Sequence, residues 1–256
     1  MSVMTTTTDK PVLLVTGGSR GIGAAICVSA ARQGWAVAVN YASNRAAAEA
    51  VVAAIEAEGG TAIAIEGDVG RQDGIDAIFA AVDETFGRLD GLVNNAGIVA
   101  PPQRVEEMTA DRLDRLFRIN VSGSILCASA AVRRMSIRRG GRGGAIVNLS
   151  SIAAVLGAAG QYVDYAATKG AIDTFTTGLS LEVVDDGIRV NAVRPGIIDT
   201  EIHASGGLPD RARALASTIP MKRPGTAQEV ADAVLYLLSP SSSYVTGAIL
   251  NVSGGR

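Results

Sequence analysis

Tyr165 and Lys169 stand four residues apart in Tyr165-Ala166-Ala167-Thr168-Lys169, and on a helix that spacing makes them neighbours on one face. A phenol with its ordinary pKa near 10 is a poor acid or base at neutral pH. An ammonium within about 4–6 Å favours the phenolate and lowers that pKa by roughly one to three units. The pair therefore suits general acid/base work on an oxygen. Ser151, the second of Ser150-Ser151, ends the preceding apolar run and can hydrogen-bond the same substrate oxygen. Taken alone, the Tyr165/Lys169 spacing also describes an ordinary surface pair, since i,i+4 pairs are common.

A second chemistry-bearing segment lies near the N-terminus. The apolar run Val12–Val15 leads into Thr16-Gly17-Gly18-Ser19-Arg20-Gly21-Ile22-Gly23, which opens a helical pattern. Glycines there permit a tight turn and let backbone N–H groups approach a pyrophosphate at the helix N-terminus. The spacing is Gly17-x-x-x-Gly21-x-Gly23, not the strict G-x-G-x-x-G fingerprint. Gly17, Ser19, Arg20, Gly21, Ile22 and Gly23 form the candidate phosphate cradle. Polar or glycine-rich clusters follow the later apolar runs: Asn40, Asp68, Asn94-Asn95-Ala96-Gly97, Ser150-Ser151 and Arg194-Pro195-Gly196. In an open parallel sheet the ligand crevice lies outside the carboxyl ends of the strands, so these clusters converge on one rim.

The elements that must position them alternate. Strand-like runs cover Val12–Val15, Ala36–Val39, Ala62–Ile65, Leu89–Val93, Ala145–Leu149, Ile188–Val193 and Ala248–Val252. Helical patterns cover Gly21–Gln33, Arg45–Glu58, Gln72–Phe86, a long stretch Thr109–Arg139, Tyr162–Val184 and Ala227–Leu238. Strands alternating with helices of ten or more residues predict right-handed crossovers and a covered parallel sheet. The fold class is α/β: a single doubly wound Rossmann-type domain over residues 11–256, with a seven-stranded, mostly parallel sheet and helices on both faces. Residues 1–10 read as a flexible N-terminus. Thr200–Lys222 lacks a strand and reads as an inserted segment covering the substrate.

Composition narrows the function classes. With 256 residues, 48% hydrophobic and 19% charged, the chain buries a real core. A net charge of −2 gathers neither nucleic acid nor anionic membrane, and 4% aromatics leave little for base stacking. Cys27 and Cys127 read as buried free thiols, without disulfide or metal spacing. Met1–Lys10 is Thr-rich with no apolar h-region, so a cytoplasmic location is expected. Gly143–Val163 is uncharged and of roughly bilayer-spanning length, but Asn148, Ser150, Ser151 and Gln161 interrupt it and Gly157 and Gly160 break it; a strand and loop are predicted. Arg133, Arg134, Arg138, Arg139 and Arg142 read as cations at a helix C-terminus before a glycine turn. His203 reads as exposed, and no cluster suggests a metal.

Together these motifs resemble the classical short-chain dehydrogenase/reductase family over about Lys10 to Arg256. Thr16–Gly23 matches its T-G-x-x-x-G-x-G, Asn94–Gly97 its N-N-A-G, Tyr165–Lys169 its Y-x-x-x-K after the Ser-Ser pair, and Pro195-Gly196 its P-G. The resemblance implies that Tyr165 is the acid/base, that Lys169 lowers its pKa and holds the nicotinamide ribose, and that Ser151 orients the substrate. It implies a water-linked proton path through Asn120, adenine contacts at Asp68 and Val69, and cofactor-loop roles for Asn94, Ala96 and Gly97. Pro195, Gly196, Ile198 and Thr200 fall at the nicotinamide end. Two features depart from the family: one extra residue between Ser151 and Tyr165, with Tyr162 as a second tyrosine, and Ser253 where aspartate is frequent. A homotetramer is also implied, through small residues such as Ala128, Ala131, Gly170 and Ala171 on two helices.

The nicotinamide cofactor is predicted to be NADP(H). NAD enzymes place a carboxylate after the second strand, where it accepts hydrogen bonds from the ribose 2′-hydroxyl. Here that position is Asn40, followed by Tyr41, with no acid until Glu49. Arg20 and Arg45 are placed to meet a 2′-phosphate. The function expected is hydride transfer between NADP(H) and a small-molecule carbonyl or alcohol. The alternatives are an NAD-linked sugar or polyol dehydrogenase of the same family, and a catalytically silent nucleotide-sensing regulator.

Overall fold

Apolar runs of four to eight residues form seven strands: β1 (Val12–Val15), β2 (Ala36–Tyr41), β3 (Thr61–Glu66), β4 (Gly91–Asn94), β5 (Gly144–Leu149), β6 (Ile188–Pro195) and β7 (Ile249–Val252). The computed structural model describes residues 9–201, 207–208 and 210–256. The sequence expectations for the first eight residues and for His203 fall outside the described residues. All strand pairs are parallel, in the order β3-β2-β1-β4-β5-β6-β7. Strands β1, β2 and β4 are buried along their whole length, the near-continuous hydrophobic pattern of a parallel sheet covered on both faces.

One face is covered by α1 (Gly21–Arg32) and α2 (Arg45–Ala57), which contribute Ile26, Cys27, Val51 and Ile55 to one core. The other is covered by α3 (Gln72–Phe86), which contributes Ile78, Phe79 and Val82 to a second core. Strand order reverses between β1 and β4, and at such a switch point the loops diverge and leave a crevice.

The predicted helix Thr109–Arg139 is not continuous. It divides into α4 (Ala110–Phe117), a π-helical turn over Arg118–Gly123, and α5 (Ser124–Met135), followed by a 3-10 turn. The interruption coincides with contacts from distant segments. The Asn120 side chain, within the turn, accepts from Ile98 N at 2.8 Å and donates to Ile98 O at 2.9 Å. Gly123 packs so closely on β3's exit that a Cβ there would lie 2.6 Å from Val69 O. Single-turn π-bulges of this kind are frequent at functional sites.

The second strand runs two residues further than predicted, because Asn40 and Tyr41 keep register with Ile65 and Glu66. Gly143–Val163 resolves into β5, a one-turn helix α6 (Ala153–Leu156) stopped by Gly157 at φ +73°, and a loop. Helix α7 (Val163–Glu182) follows, and packs Phe175 and Leu179 on the second core. Within 200–222 the described residues hold a short helix α8 (Arg211–Ala214). Helix α9 (Ala227–Leu238) begins with a capping box, Thr226 and Glu229, and packs Val230, Val234 and Leu238 on the first core. No helix among the described residues is long and apolar enough to cross a membrane.

Candidate active site

The glycine loop leaves β1 and folds back before α1. Gly17 and Gly21 adopt positive φ, +62° and +53°, a region that glycine enters without steric penalty. At Gly23 a Cβ would collide with Gly17 O and lie 2.6 Å from Asn95 Nδ2. The loop is stitched from three sides. Thr16 Oγ1 accepts from Asn95 N and Ala96 N, both at 3.0 Å. Asn95 Nδ2 donates to Thr16 O and Gly17 O, each at 2.9 Å. Gly17 N donates to Asn40 Oδ1 at 3.2 Å. Ser19 and Ile22 are half-buried in the loop and first turn, Arg20 is exposed at the N-cap, and Thr200 stands across the loop from Gly21. The amides of the first helical turn lack intrahelical partners, as a pyrophosphate site needs.

Asn40 requires a correction. It lies inside β2, buried, and does not project from the strand's end. Its Nδ2 donates to Ile65 O and Gly67 O at 3.2 and 3.0 Å. The side chain clamps the glycine loop to the end of β3, so the rim position falls to Tyr41 and the residues after it. Tyr41 OH donates to Glu66 Oε2 at 3.4 Å, a carboxylate that the sequence reading passed over. Arg45 is exposed and paired to Glu49 at 3.0 Å, whereas Arg20 has no ion-pair partner among the described residues.

The remaining predicted positions line the same rim. Asp68 Oδ1 accepts from Gly70 N at 2.8 Å and Val69 is buried beside it. Asn94 ties strands together, donating to Asn148 Oδ1 at 2.9 Å and Ser124 O at 3.0 Å. Ala96 and Gly97 are half-buried; a Cβ on Gly97 would sit 3.4 Å from Asn120 Oδ1 and 3.6 Å from Lys169 Nζ. Gly97 thus lies against both Asn120 and the lysine. Pro195 ends β6, Gly196 packs directly on Ser253, and Ile198 is buried where the chain bridges to Gly225.

Helix α7 carries the tyrosine and lysine. Lys169 is buried, donates to Leu149 O at 2.7 Å, and holds its ammonium 5.6 Å from the centre of the Tyr165 ring. Ser150 Oγ donates to Lys169 O at 3.2 Å, and Ser151 Oγ accepts from Ala153 N at 3.1 Å. Asn120 Nδ2 donates to Thr168 Oγ1 at 3.2 Å, tying the π-turn to α7. The expected lowering of the Tyr165 pKa is not found. Burial pushes the phenol up to about 12, with the Ser151 hydroxyl pulling the other way. Burial lowers Lys169 to about 8, opposed by the Asp173 charge. The reason is geometric: the ammonium turns toward Leu149 O. Tyr162 caps α7, buried, with the Arg211 guanidinium 5.0 Å over its ring. The contact joins the start of α7 to the inserted segment.

The family model described as "Enoyl-(Acyl carrier protein) reductase" matches residues 17–256. A solved short-chain dehydrogenase/reductase from Serratia marcescens, a phenylalanine-to-leucine double mutant, superposes with a TM-score of 0.87 at 36% identity, covering 96% of this chain and 97% of that one. The chain belongs to the short-chain dehydrogenase/reductase family. It is 52% identical over 245 residues to the uncharacterized oxidoreductase YgfF of Escherichia coli (strain K12), covering 96% of this chain and 99% of that protein. It is 38% identical to the 3-oxoacyl-[acyl-carrier-protein] reductase of Synechocystis sp., covering 95% and 96%. The chain is therefore an oxidoreductase, and family membership implies a nicotinamide cofactor, NAD or NADP. The first-turn amides and the positive-φ glycines fit such a group.

In this short-chain dehydrogenase/reductase one ionic contact holds the tyrosine's helix end. Asp164 Oδ1 accepts from Tyr165 N at 2.8 Å, while Asp164 Oδ2 accepts from Arg112 Nε at 2.6 Å. Arg112 also donates to Pro101 O at 2.9 Å. Neither residue carries a motif, and only the opposite charges on two helices hinted at the pair. Arg133 and Arg134 lie in the last turn of α5 and Gly140 turns the chain after Arg139, as the sequence predicts; Arg134 also pairs with Asp83 at 2.6 Å and Arg138 with Asp185 at 3.1 Å. Cys27 and Cys127 are buried and free, with both thiols pushed up by burial.

Proposed function

We propose that the chain is an NADP(H)-dependent carbonyl reductase or alcohol dehydrogenase with Tyr165 as its acid/base. The observation that carries this is the convergence of Ser151, Tyr165, Lys169 and Asn120 with the glycine loop on one rim of the sheet. Bound nicotinamide would give or take the hydride. Gly17, Ser19, Gly21, Ile22 and Gly23 would hold the pyrophosphate; Asp68 and Val69 the adenine; Asn94, Ala96 and Gly97 the ribose side; and Pro195, Gly196, Ile198 and Thr200 the nicotinamide end. Ser151 orients the substrate oxygen, and Tyr165, kept protonated by burial, hands it a proton during reduction. Lys169 supplies a nearby positive charge, and Asn120 links it toward solvent. The same reading takes residues 11–256 as one domain, 200–222 as the substrate cover, and the cytoplasm as the location. NADPH oxidation with a panel of ketones, aldehydes and quinones tests it; no turnover with any class would leave the silent-regulator reading.

Preference for NADP(H) rests on Arg20, because Arg45 is already engaged with Glu49. Charge-assisted arginine–phosphate bonds are roughly twice as strong as neutral ones. Arg20→Ala is expected to weaken NADPH binding much more than NADH binding. Equal or tighter binding of NADH to the unaltered protein, by fluorescence titration, would overturn the preference and turn attention to the Tyr41–Glu66 edge.

A homotetramer accounts for apolar surface on the outer helices. Leu113, Phe117, Ile125, Leu126 and Leu181 are exposed, and nothing lies within 4 Å of a Cβ built on Gly170 or Gly178. Ala128 and Ala131, read from the sequence as part of such a face, are instead buried in the second core; the open face at Gly170 and Gly178 still lets a neighbouring subunit's helix approach closely, and closed symmetric assembly is the common outcome. Light scattering at micromolar concentration is expected to give four chains per particle; a monomer would refute it.

A further inference from the structure

Lys169 is a buried cation with sparse company. Its ammonium meets Leu149 O from β5 and the Tyr165 ring from its own helix. The neighbouring loop and π-turn bring Gly97 and the uncharged Asn120 close to it. Ser151 lies on the tyrosine side. The anionic charge that acts on it is Asp173, one helical turn further along α7.

Asp173 is itself buried, with 7% of its surface exposed. Arg194, near the end of β6, grips one carboxylate oxygen from two directions: Nε to Oδ2 at 2.9 Å and Nη2 to Oδ2 at 2.8 Å. The other oxygen, Oδ1, is buried without a hydrogen-bond partner. A buried acceptor left unpaired is costly, and an ionised one more so.

We propose that Asp173, held by Arg194, is a positioning residue of the active site whose buried carboxylate is the counter-charge of Lys169. This rests on the catalytic use of Lys169 proposed above. Arg194 fixes one oxygen of the carboxylate and offsets the cost of burying it, and the carboxylate's field reaches the lysine along the helix. Burial disfavours the ammonium and has already lowered it to about 8; the Asp173 charge works against that fall. Remove the charge, and the lysine becomes neutral at a lower pH, losing its positive charge in the site and one donor.

The test is the isosteric Asp173→Asn variant, read by a pH profile. The alkaline limb of kcat/KM for carbonyl reduction is expected to move down by about one pH unit, while the plateau on the acid side persists. A merely structural role would lower activity at every pH and leave the limb in place, and that result would overturn the proposal. Because Asp173→Asn leaves Arg194 as an uncompensated cation, Asp173→Asn/Arg194→Gln is the second variant, with a smaller shift in the same direction expected; Asp173→Glu should restore the limb. A turnover-free measurement separates this proposal from the functional one. The chain has three lysines, Lys10, Lys169 and Lys222, so ε-13C-lysine NMR of the protein without cofactor can follow Lys169 directly. Its titration should move down in both charge-removing variants even if no carbonyl is turned over. An unmoved lysine titration would overturn the proposal whatever the activity.

Discussion

Replacing Tyr165 by phenylalanine is expected to cut turnover at least about 100-fold while leaving the fold and cofactor binding intact, since general acid–base groups contribute typically 10²–10⁴-fold. The ring that packs in the site is kept, and only the proton-carrying oxygen goes. Burial holds the phenol protonated up to about 12, so over ordinary pH it keeps the proton that carbonyl reduction consumes. Alcohol oxidation asks for the phenolate instead, and should therefore rise with pH. Tyr162→Phe is the control: it preserves the ring under Arg211 and should keep most turnover. Near wild-type turnover in Tyr165→Phe, or loss only in Tyr162→Phe, would move the chemistry to another residue.

The second large effect is expected at Arg112, far from any motif. Its partner Asp164 is 1% exposed and Arg112 itself 12% exposed in the side chain. Removing one member of a buried ion pair costs about 3–5 kcal/mol, because the other charge is left uncompensated. Arg112→Ala should lower the melting temperature by roughly 10 °C, with scanning calorimetry as the check. Arg112→Ala/Asp164→Asn should recover much of the loss, since no buried charge is then stranded. Turnover should suffer beyond the stability change, because Asp164 also fixes the backbone N–H of Tyr165. A melting temperature within a degree or two of wild type would show that the pair contributes little.

The strand–helix alternation was legible because parallel strands buried on both faces are continuous apolar runs, and because glycines mark most helix ends. Tyr165, Lys169 and the glycine loop were legible because their spacing is local. What sequence could not supply were the contacts between distant segments. Asn40 looked like a rim residue; register with Ile65 placed it inside the sheet as a clamp. The stretch through Asn120 has an unbroken helical pattern, and only the approach of Ile98 and Val69 reveals why it bulges. Asn95 was quoted as part of a motif, yet its hydrogen bonds to Thr16 and Gly17 emerge only once β1 and β4 lie side by side. The Tyr165–Lys169 spacing was read correctly as neighbours, but not the direction in which the ammonium turns.

The stitching of the glycine loop has a thermodynamic consequence. Asn40, Thr16 and Asn95 hold Gly17 and its neighbours in place through the protein's own hydrogen bonds. A loop already in shape loses little conformational freedom when a dinucleotide arrives, and the ordering cost that usually subtracts from affinity is settled at folding. Binding strength can then come from the few groups that touch the ligand, and losing a stitch such as Asn95 would loosen the loop that presents them.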